Sequence, residues 1–287
     1  MASVADKAQK FRVIILGCGS SGGVPRFGGD DGAGNWGACD PGEPRNRRTR
    51  CSILVERADA GGDFSNRQSV TSVLVDTSPD MRSQLLAARC ARLDAVLFTH
   101  DHADQSHGVD DLRVFALSQY KKMPVYINQE TGGELLRRFD YCFRQKEESW
   151  YPPILDHIEM PPAGEPFNIS GPSGDIPVTA FLQRHGGVDS LGFRFGDLAY
   201  SSDVVDLPEE SFEILAGVKI WIVDALQLKP HGTHAHLAKT LEWIDRVKPE
   251  RAVLTNLHVT MDYATVARIT PDNVTPAHDG MVVEFSA

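Results

Sequence analysis

The chain has 287 residues, a hydrophobic fraction of 41% and a formal net charge of −10. A chain of this length buries a large apolar core, and its negative charge repels polyanions, so general nucleic-acid binding is not expected. No apolar run approaches the roughly 20 residues that a membrane helix needs. Residues 1–10 are polar and lack the apolar centre of a signal peptide. The five cysteines form no CxxC pair, and we therefore expect a cytoplasmic protein with reduced thiols.

Strand-like and helical patterns alternate along the first half of the chain. They predict strands at 11–16, 51–56, 70–75, 94–98 and 125–127, and helices near 110–121 and 131–143. Another helix is expected after Ser78, which can cap it, with Pro79 at the first helical position. Residues 152–166 are rich in proline and acidic side chains and are predicted to form a loop.

The second half repeats this alternation. It predicts strands at 176–182, 191–195, 198–201, 218–223, 252–255 and 281–285. A helix is predicted after Thr233, with Leu237, Leu241 and Ile244 on one apolar stripe. Two runs of strands interleaved with helices fit an α/β protein in which two facing sheets are covered by helices on the outside. We expect residues 1–287 to form a single domain, because the candidate site residues are spread over most of the chain.

The segment THDHAD at 99–104 follows the strand predicted at 94–98. It places His100, His102 and Asp104 at alternating positions where a strand runs into a loop. Neutral imidazole and carboxylate oxygen are ligands of zinc, manganese and iron. A solvated turn would have the same composition, but further candidates follow other strand-like runs in a consistent order. These candidates are His185, Asp203 and His258, and Asp76 ends the strand predicted at 70–75.

The ordered series of Asp, His-x-His-x-Asp, His, Asp and His resembles the five motifs of the metallo-β-lactamase-fold hydrolases. The resemblance extends from about Phe11 to Phe285 and implies a four-layer αββα sandwich. Within that superfamily, the chain is similar to the phosphoribosyl cyclic phosphate phosphodiesterases of the carbon–phosphorus lyase pathway. This likeness rests on LGCGSSGGVP at 16–25, on Arg50-Cys51-Ser52 and on Asp279-Gly280-Met281.

The resemblance implies a centre of one or two divalent metal ions, zinc or manganese. It assigns His100, His102 and His185 to the first ion, Asp203 to a bridging position, and Asp104 and His258 to the second ion. Asp76 matches the family carboxylate that orients the metal loop without binding metal. Members of the phosphodiesterase branch often carry a structural zinc on clustered cysteines. The corresponding region here keeps Cys39 alone, so no structural zinc is expected.

The chain departs from the family motif at Gln105, where a histidine of the second metal usually stands. An amide oxygen is a weak, neutral ligand compared with imidazole. The departure leaves three outcomes open: the second site is weak or empty, it prefers an oxygen-loving ion such as manganese, or His107 reaches in. For His107 we favour packing in the loop or contact with substrate. We therefore expect a firmly held first ion and a less firmly held second one.

The segment HGTHAH at 231–236 lies at a predicted helix start, where the helix dipole favours an anionic phosphate. Branch members carry a histidine here that resembles a substrate-binding residue or a proton donor, and we take His234 as the first candidate and His231 as the second. A surface histidine cluster at a helix cap would look the same in the sequence. Ser20 and Ser21 in the glycine-rich turn are candidate substrate contacts, and Asp104 is a candidate for orienting the attacking water.

The leading hypothesis is a metal-dependent hydrolase, a phosphodiesterase that cleaves a small phosphodiester or cyclic phosphate with a metal-bound hydroxide. A thioester or lactam hydrolase of the same fold is an alternative, because the same nucleophile would serve. A tRNA-processing nuclease is disfavoured by the acidic charge. A nucleotide- or phosphate-binding protein with a weakened second metal site stays open because of Gln105. The expected partner is a small phosphate-bearing substrate, no membrane is expected, and a homodimer is left open.

Overall fold

The structure is a computed structural model that describes residues 10–59, 61–145, 147 and 149–287. Two seven-stranded sheets face each other and helices cover their outer sides. The predicted αββα sandwich is confirmed. The expectation that residues 1–10 are not a signal peptide concerns residues 1–9, which lie outside the described residues, and residue 10. Within the described part of the chain, no helix combines the length and the apolar character that crossing a bilayer requires.

The first sheet combines an antiparallel half with a parallel half. Its strands are β1 (Phe11–Gly17), β2 (Ser52–Arg57), β3 (Thr71–Val75), β4 (Ala95–Leu97), β5 (Met123–Ile127), β6 (Leu155–Glu159) and β14 (Met281–Phe285). They lie in the order β14-β1-β2-β3-β4-β5-β6. Pairing is antiparallel from β14 to β3 and parallel from β3 to β6. The carboxyl ends of β3 and β4 therefore meet at one edge of the sandwich.

The second sheet has the same division. Its strands are β7 (Pro166–Ile169), β8 (Ile176–His185), β9 (Val188–Phe195), β10 (Leu198–Ser201), β11 (Ile220–Asp224), β12 (Arg251–Thr255) and β13 (Val274–Pro276). They lie in the order β13-β12-β11-β10-β9-β8-β7. Pairing is antiparallel from β7 to β10 and parallel from β10 to β13. Strands β8, β10, β11 and β12 therefore run in one direction and present their carboxyl ends together.

The helices complete the outer layers. They are α1 (Met81–Ala87), α2 (Ala103–Ser106), α3 (Arg113–Ser118), α4 (Gln129–Arg138), α5 (Asp140–Phe143), α6 (Glu209–Leu215), α7 (Leu237–Val247) and α8 (Tyr263–Ile269). Apolar side chains of α1, α3, α4 and α5 pack on the first sheet. Those of α6, α7 and α8 pack on the second sheet.

The central core lies between the two sheets. Ile15 and Val75 of the first sheet and Phe193, Tyr200 and Ile222 of the second belong to this cluster, and each is fully buried. Successive side chains of a strand point to opposite faces of its sheet. The residues that point away from the central core therefore pack against the helices of the outer layers. Burial on both faces of the inner strands holds the strand ends, and the side chains that follow them, in fixed positions.

Residues 152–166, predicted to be a loop, contain strand β6, so that prediction is wrong. Strand β6 pairs in parallel with β5 at the edge of the first sheet. Its residues Asp156 and His157 are exposed, which removes the apolar alternation that signals a strand.

Several predicted helices begin or divide elsewhere. The helix predicted at 131–143 is divided into α4 and α5 at Phe139, whose φ of −121° is not helical. The helix predicted near 110–121 is a 3-10 turn, Val109–Leu112, followed by α3. Helix α1 is preceded by Asp80 and not by Ser78. Helix α7 has His236 at its N-cap, so Thr233 does not cap it.

Candidate metal centre

Three histidines converge where strand ends of the two sheets meet. Strand β4 leads into His100 and His102, and β8 ends at His185. The ring centroids lie 4.5, 5.0 and 5.1 Å apart in edge-to-face orientations. One potential ligand atom from each ring lies within 4.8 Å of the other two. The structure therefore brings together the three histidines that the resemblance assigned to the first ion.

A hydrogen-bonded chain fixes the orientation of His100. The Thr99 hydroxyl donates to Asp76 Oδ2 at 2.9 Å, and the Thr99 backbone N–H donates to Asp76 Oδ1 at 2.8 Å. Because the hydroxyl proton is used in this way, the Thr99 oxygen accepts the proton of His100 Nδ1, 2.9 Å away. The Nε2 atom of His100 is left with its lone pair, and it is buried without a partner among the described residues. Asp76 therefore acts on the cluster through Thr99.

A backbone carbonyl plays the same part for His185. Its Nδ1 lies 2.7 Å from the Thr233 oxygen, which can only accept, so Nδ1 carries the proton. The free Nε2 of His185 lies 3.3 Å from Nδ1 of His102. Burial, followed by the neighbouring histidines, lowers the pKa of His100 well below its usual value. Burial also lowers the pKa of His185, against the charge of Asp203.

The donor set fits a divalent ion. Three histidines are an established zinc ligand set, and one potential ligand atom from each of these rings lies within 4.8 Å of the other two. The hydrogen bonds behind His100 and His185 hold each ring in the tautomer that a metal needs. The fold and this cluster together imply a divalent-metal centre.

Asp203 belongs to a second group of candidate ligands with His185 and His234. Its backbone is left-handed, with a φ of 51°, and Asp76 and Asn256 share this conformation with φ values of 63° and 60°. All three follow a strand directly or after one residue. Aspartate and asparagine tolerate this conformation better than most residues, and it turns the chain sharply at the site.

Two side-chain amides contact the Asp203 carboxylate. Gln105 Nε2 donates to Oδ2 at 3.1 Å, whereas Asn256 Nδ2 lies 3.5 Å from Oδ1 and 3.0 Å from Nδ1 of His234. The side chains of Gln105, Asp203 and Asn256 are buried. Burial raises the pKa of Asp203, and the nearby His234 opposes this. Burial and then the charge of Asp203 raise the pKa of Asp104.

His234 forms an ion pair next to the three-histidine cluster. Its Nδ1 donates to Asp224 Oδ2 at 2.9 Å and lies 3.9 Å from Asp203 Oδ1. Its ring centroid is 4.7 Å from that of His185. Burial disfavours a charged ring, but the hydrogen bond and charge of Asp224 outweigh it and raise the pKa of His234 to about 9. The structure thus brings His234 to the candidate centre with a carboxylate behind it.

Three other predicted histidines lie outside both ligand groups of the described residues. Nδ1 of His258 is 2.9 Å from Thr260 Oγ1, which leaves its Nε2 available, and the assignment of His258 to a second ion stays a prediction. His231 is exposed, with its ring centroid 5.4 Å from that of His234. His107 lies edge-on against Phe139 at 5.8 Å, in keeping with packing in the loop.

The glycine-rich turn after β1 lies beside the chain that follows β12. Gly19 forms bridges with Arg50 and with Leu257. Ser20 is buried, and its Oγ has no partner among the described residues, whereas Ser21 is exposed. Ser20 is therefore a donor held near the Asn256 loop, and the structure gives Ser21 no such position.

The five cysteines all fall within the described residues and are unpaired. Cys39 is buried in a small cluster with Val24 and Val259, and its Sγ lies 3.9 Å from Nη1 of Arg48. The expectation that no structural zinc is bound stays a prediction.

Sequence reasoning gave no role at the metal centre to Thr99, Thr233 or Asn256, although all three contact the site. Thr233 contributes a backbone oxygen. Every residue type has this atom, so the sequence does not predict the contact. Asn256 stands two residues before His258, and the histidine drew attention because it is the better ligand. Its position could have indicated a role at the site, because Asn256 directly follows β12 just as Asp76 directly follows β3.

The chain is similar to a protein-family model, to a curated protein and to several solved structures. A family model described as the β-lactamase superfamily domain matches residues 71–256, which contain both ligand groups. An octanoyltransferase of Porphyromonas gingivalis is 30% identical over 275 residues, which are 94% of this chain and 51% of the relative. The chain therefore spans about half the length of that curated relative.

Two solved structures extend the likeness. A diphosphatase of the PhnP family has a TM-score of 0.80 and 28% identity, covering 96% of this chain and 97% of its own. Zinc-bound PqqB from Methylobacterium extorquens has a TM-score of 0.69 and 18% identity, covering 95% of this chain and 99% of its own. Since the family model spans more than half of the chain and the sandwich encloses its motifs, the protein belongs to the β-lactamase superfamily and has the metallo-β-lactamase fold.

Proposed function

We propose that the protein is a metal-dependent phosphodiesterase that hydrolyses a small phosphodiester or cyclic phosphate. The observation that carries this proposal is the His234–Asp224 pair beside the three-histidine cluster. An alkoxide that leaves phosphorus needs a proton, whereas a thiolate leaves without one because the thiol is far more acidic. The buried Asp224 carboxylate favours the protonated form of His234. A protonated histidine suits an alkoxide leaving group, because it can supply the proton that the alkoxide needs. The 28% identical diphosphatase supports phosphorus chemistry.

His100, His102 and His185 would hold the metal, and Asp203 would approach it from the second sheet. A bound divalent ion supplies Lewis acidity toward a phosphoryl oxygen and lowers the pKa of water at the site. Zinc or manganese is proposed, and zinc suits the imidazole donors. Asp104, which is half-buried, would accept or orient a proton of the attacking water.

The rim of the site favours an anionic substrate despite the acidic chain. Burial first, and then the positive charges of Arg26 and His231, lower the pKa of His258. The Oγ of Ser20 and the Nε of Arg26 are buried donors without partners among the described residues. A phosphate group would satisfy such donors. His231 is thus proposed as a substrate contact.

The remaining parts of the proposal concern the whole chain. Candidate ligands from both sheets support one domain, because neither sheet could form the centre alone. The unpaired thiols support a reducing compartment such as the cytoplasm. A small substrate is proposed, and a homodimer stays open.

The test is hydrolysis of bis(p-nitrophenyl) phosphate by metal-stripped protein, with zinc, manganese or buffer added back. We expect release of p-nitrophenolate only with metal, and its loss in His185→Ala together with most of the bound metal. Metal-independent release, or full turnover by His185→Ala, would contradict the proposal.

A second candidate is hydrolysis of an acyl thioester. The observation in its favour is the relative named octanoyltransferase, which matches nearly all of this chain but only about half of its own. The same metal-loaded preparations should be assayed with an octanoyl thioester. Faster turnover of the thioester than of any phosphodiester would replace the phosphodiesterase proposal with this one.

A further inference from the structure

We infer that Arg138 is a positioning residue for His102, which it reaches through Asp101, the residue between the two histidines that follow β4. The inference rests on the proposed function through its metal centre. It goes beyond that function because it assigns a role in metal binding to an arginine of helix α4, which lies outside the candidate ligand set.

The three histidines differ in what holds their rings. Nδ1 of His100 donates to the Thr99 oxygen, and Nδ1 of His185 donates to the Thr233 carbonyl oxygen. His102 is exposed, and among the described residues its ring has a polar contact with His185 alone, at 3.3 Å. Because that contact joins two candidate ligands, it cannot orient His102 independently of the ion. The direction of the His102 ring therefore depends on the backbone that carries it.

Arg138 holds that backbone through a two-point contact. Its Nη1 donates to the Asp101 backbone oxygen at 2.6 Å, and its Nη2 donates to Asp101 Oδ2 at 2.7 Å. The Asp101 carbonyl belongs to the planar peptide that leads into His102, so the contact fixes the plane from which the His102 side chain starts. The Ser106 hydroxyl donates to the His102 oxygen at 2.8 Å, on the next peptide. Both peptides that flank His102 are thus held by groups outside the ligand set.

An arginine is suited to this contact. The guanidinium presents its N–H donors in a rigid plane, so it can bind a carbonyl and a carboxylate at once, whereas the ammonium group of a lysine has no such fork. The side chains of Asp101 and Arg138 are 17% and 35% exposed, so water screens this pair less than it screens a pair in open solvent.

Helix α4 gives Arg138 a fixed base. Arg138 is its last residue, and the Asn128 side chain caps its first turn. Leu135, nearly one turn before Arg138, is buried in the cluster between the first sheet and its helices. Phe139, the next residue, lies edge-on to the ring of His107 with centroids 5.8 Å apart. The end of α4 therefore contacts the chain on both sides of the candidate ligand His102.

The test is the zinc affinity of the protein without substrate, measured by competition with a chelator. We expect Arg138→Met to lower the affinity about tenfold, because groups that support metal ligands contribute about 10–100-fold and this pair is partly exposed. Arg138→Lys keeps the charge without the fork and should show a smaller loss. Arg137→Met is the matched control and should bind zinc like wild type, because Arg137 pairs with Glu134 on the same helix.

A double-mutant cycle separates positioning from a general effect on the fold. If Arg138 acts through His102, Arg138→Met should cause no further loss of affinity in His102→Ala. It should add to the loss in Thr99→Val, which acts through His100. The visible spectrum of the cobalt-loaded protein depends on ligand geometry, and it should change in Arg138→Met and not in Arg137→Met.

An unchanged zinc affinity in Arg138→Met, an equal loss in Arg137→Met, or an undiminished loss in the His102→Ala background would overturn the inference. Phosphodiester assays on the same samples separate it from the proposed function. Zinc binding that depends on Arg138 without any hydrolysis contradicts the phosphodiesterase alone. Metal-dependent hydrolysis with a zinc affinity that does not depend on Arg138 contradicts the positioning role alone.

Discussion

Thr99 links a buried carboxylate to a candidate ligand while binding no metal itself. Its hydroxyl donates to Asp76 and its oxygen accepts from His100. In Thr99→Val both bonds are lost, and His100 Nδ1–H is left buried without an acceptor. Supporting groups of this kind typically contribute 10–100-fold in metal affinity, so we expect a loss of about that size.

Competition with a chromophoric chelator measures this affinity. Thr99→Ser keeps the hydroxyl and should recover most of it. An unchanged affinity in Thr99→Val, with the fold intact by circular dichroism, would show that His100 does not need this chain of hydrogen bonds.

The proposed proton donor can be tested through the leaving group. If His234 protonates a leaving alkoxide, His234→Gln should lower kcat for a 2′,3′-cyclic nucleotide by about 10²–10⁴. The same variant should change hydrolysis of bis(p-nitrophenyl) phosphate far less, because p-nitrophenolate leaves without a proton. Asp224→Asn, which removes the ion-pair partner, should show the same pattern in weaker form. The exposed His231→Gln is the matched control, with its effect expected mainly on KM.

Equal losses on both substrates would contradict the donor role of His234. That outcome would indicate that the His234–Asp224 pair positions the substrate or supports the fold.

Residue types and strand ends allowed much of the site to be predicted. His100, His102, His185 and Asp203 each follow or end a predicted strand, and the structure brings them together. The side chain that reaches Asp203 from β12 was not predictable in the same way. Asn256 turns inward through a left-handed backbone, whereas His258 stands two residues further along a loop whose path the sequence pattern does not specify.

At the scale of elements, the strands that the sequence missed are edge strands. Strands β6, β7 and β13 each lie at the end of a sheet. Two of them, β6 and β7, bury only one residue, so neither has a buried face that alternation could mark. Strand β14 is also at an edge, but it buries every second residue and was predicted with its observed bounds. Periodicity therefore detects a strand through its buried face and not through its hydrogen bonds.

Asp279 joins three elements through one carboxylate. It precedes β14 and accepts from Cys18, after β1, and from the backbone and hydroxyl of Thr49, before β2. Burial raises the pKa of Asp279 to about 6, against the hydrogen bonds from Thr49. The charged form is thus less favourable in the fold than in the unfolded chain, where the pKa is about 3.9.

The sign of the resulting pH dependence follows from this raised pKa. The contribution of Asp279 to the free energy of unfolding is complete below about pH 4 and is lost as pH rises through about 6. Compared with Asp279→Asn, wild-type protein should lose about 3 kcal/mol between about pH 4 and pH 7. Urea unfolding of both proteins at several pH values measures the difference. A difference that is constant with pH, or that grows as pH rises, would contradict the raised pKa.

At the scale of the whole molecule, the candidate centre joins the two sheets. His100 and His102 follow β4 of the first sheet, while His185 and Asp203 come from β8 and β10 of the second. The facing nitrogens of His102 and His185 lie 3.3 Å apart across this junction. An ion bound there would hold both sheets together.

Metal should therefore stabilise the entire fold and not only the loops of the site. An ion at 100 times its Kd adds about 2.7 kcal/mol to the free energy of unfolding, which raises Tm by about 5 °C for a domain of this size. Scanning calorimetry of metal-stripped protein with and without zinc should show one transition that moves upward as a whole. His185→Ala should lose most of this shift and His258→Ala should keep it. A shift of equal size in His185→Ala would place the stabilising ion elsewhere, and a transition that splits in two would show that the sheets unfold separately even when the ion is bound.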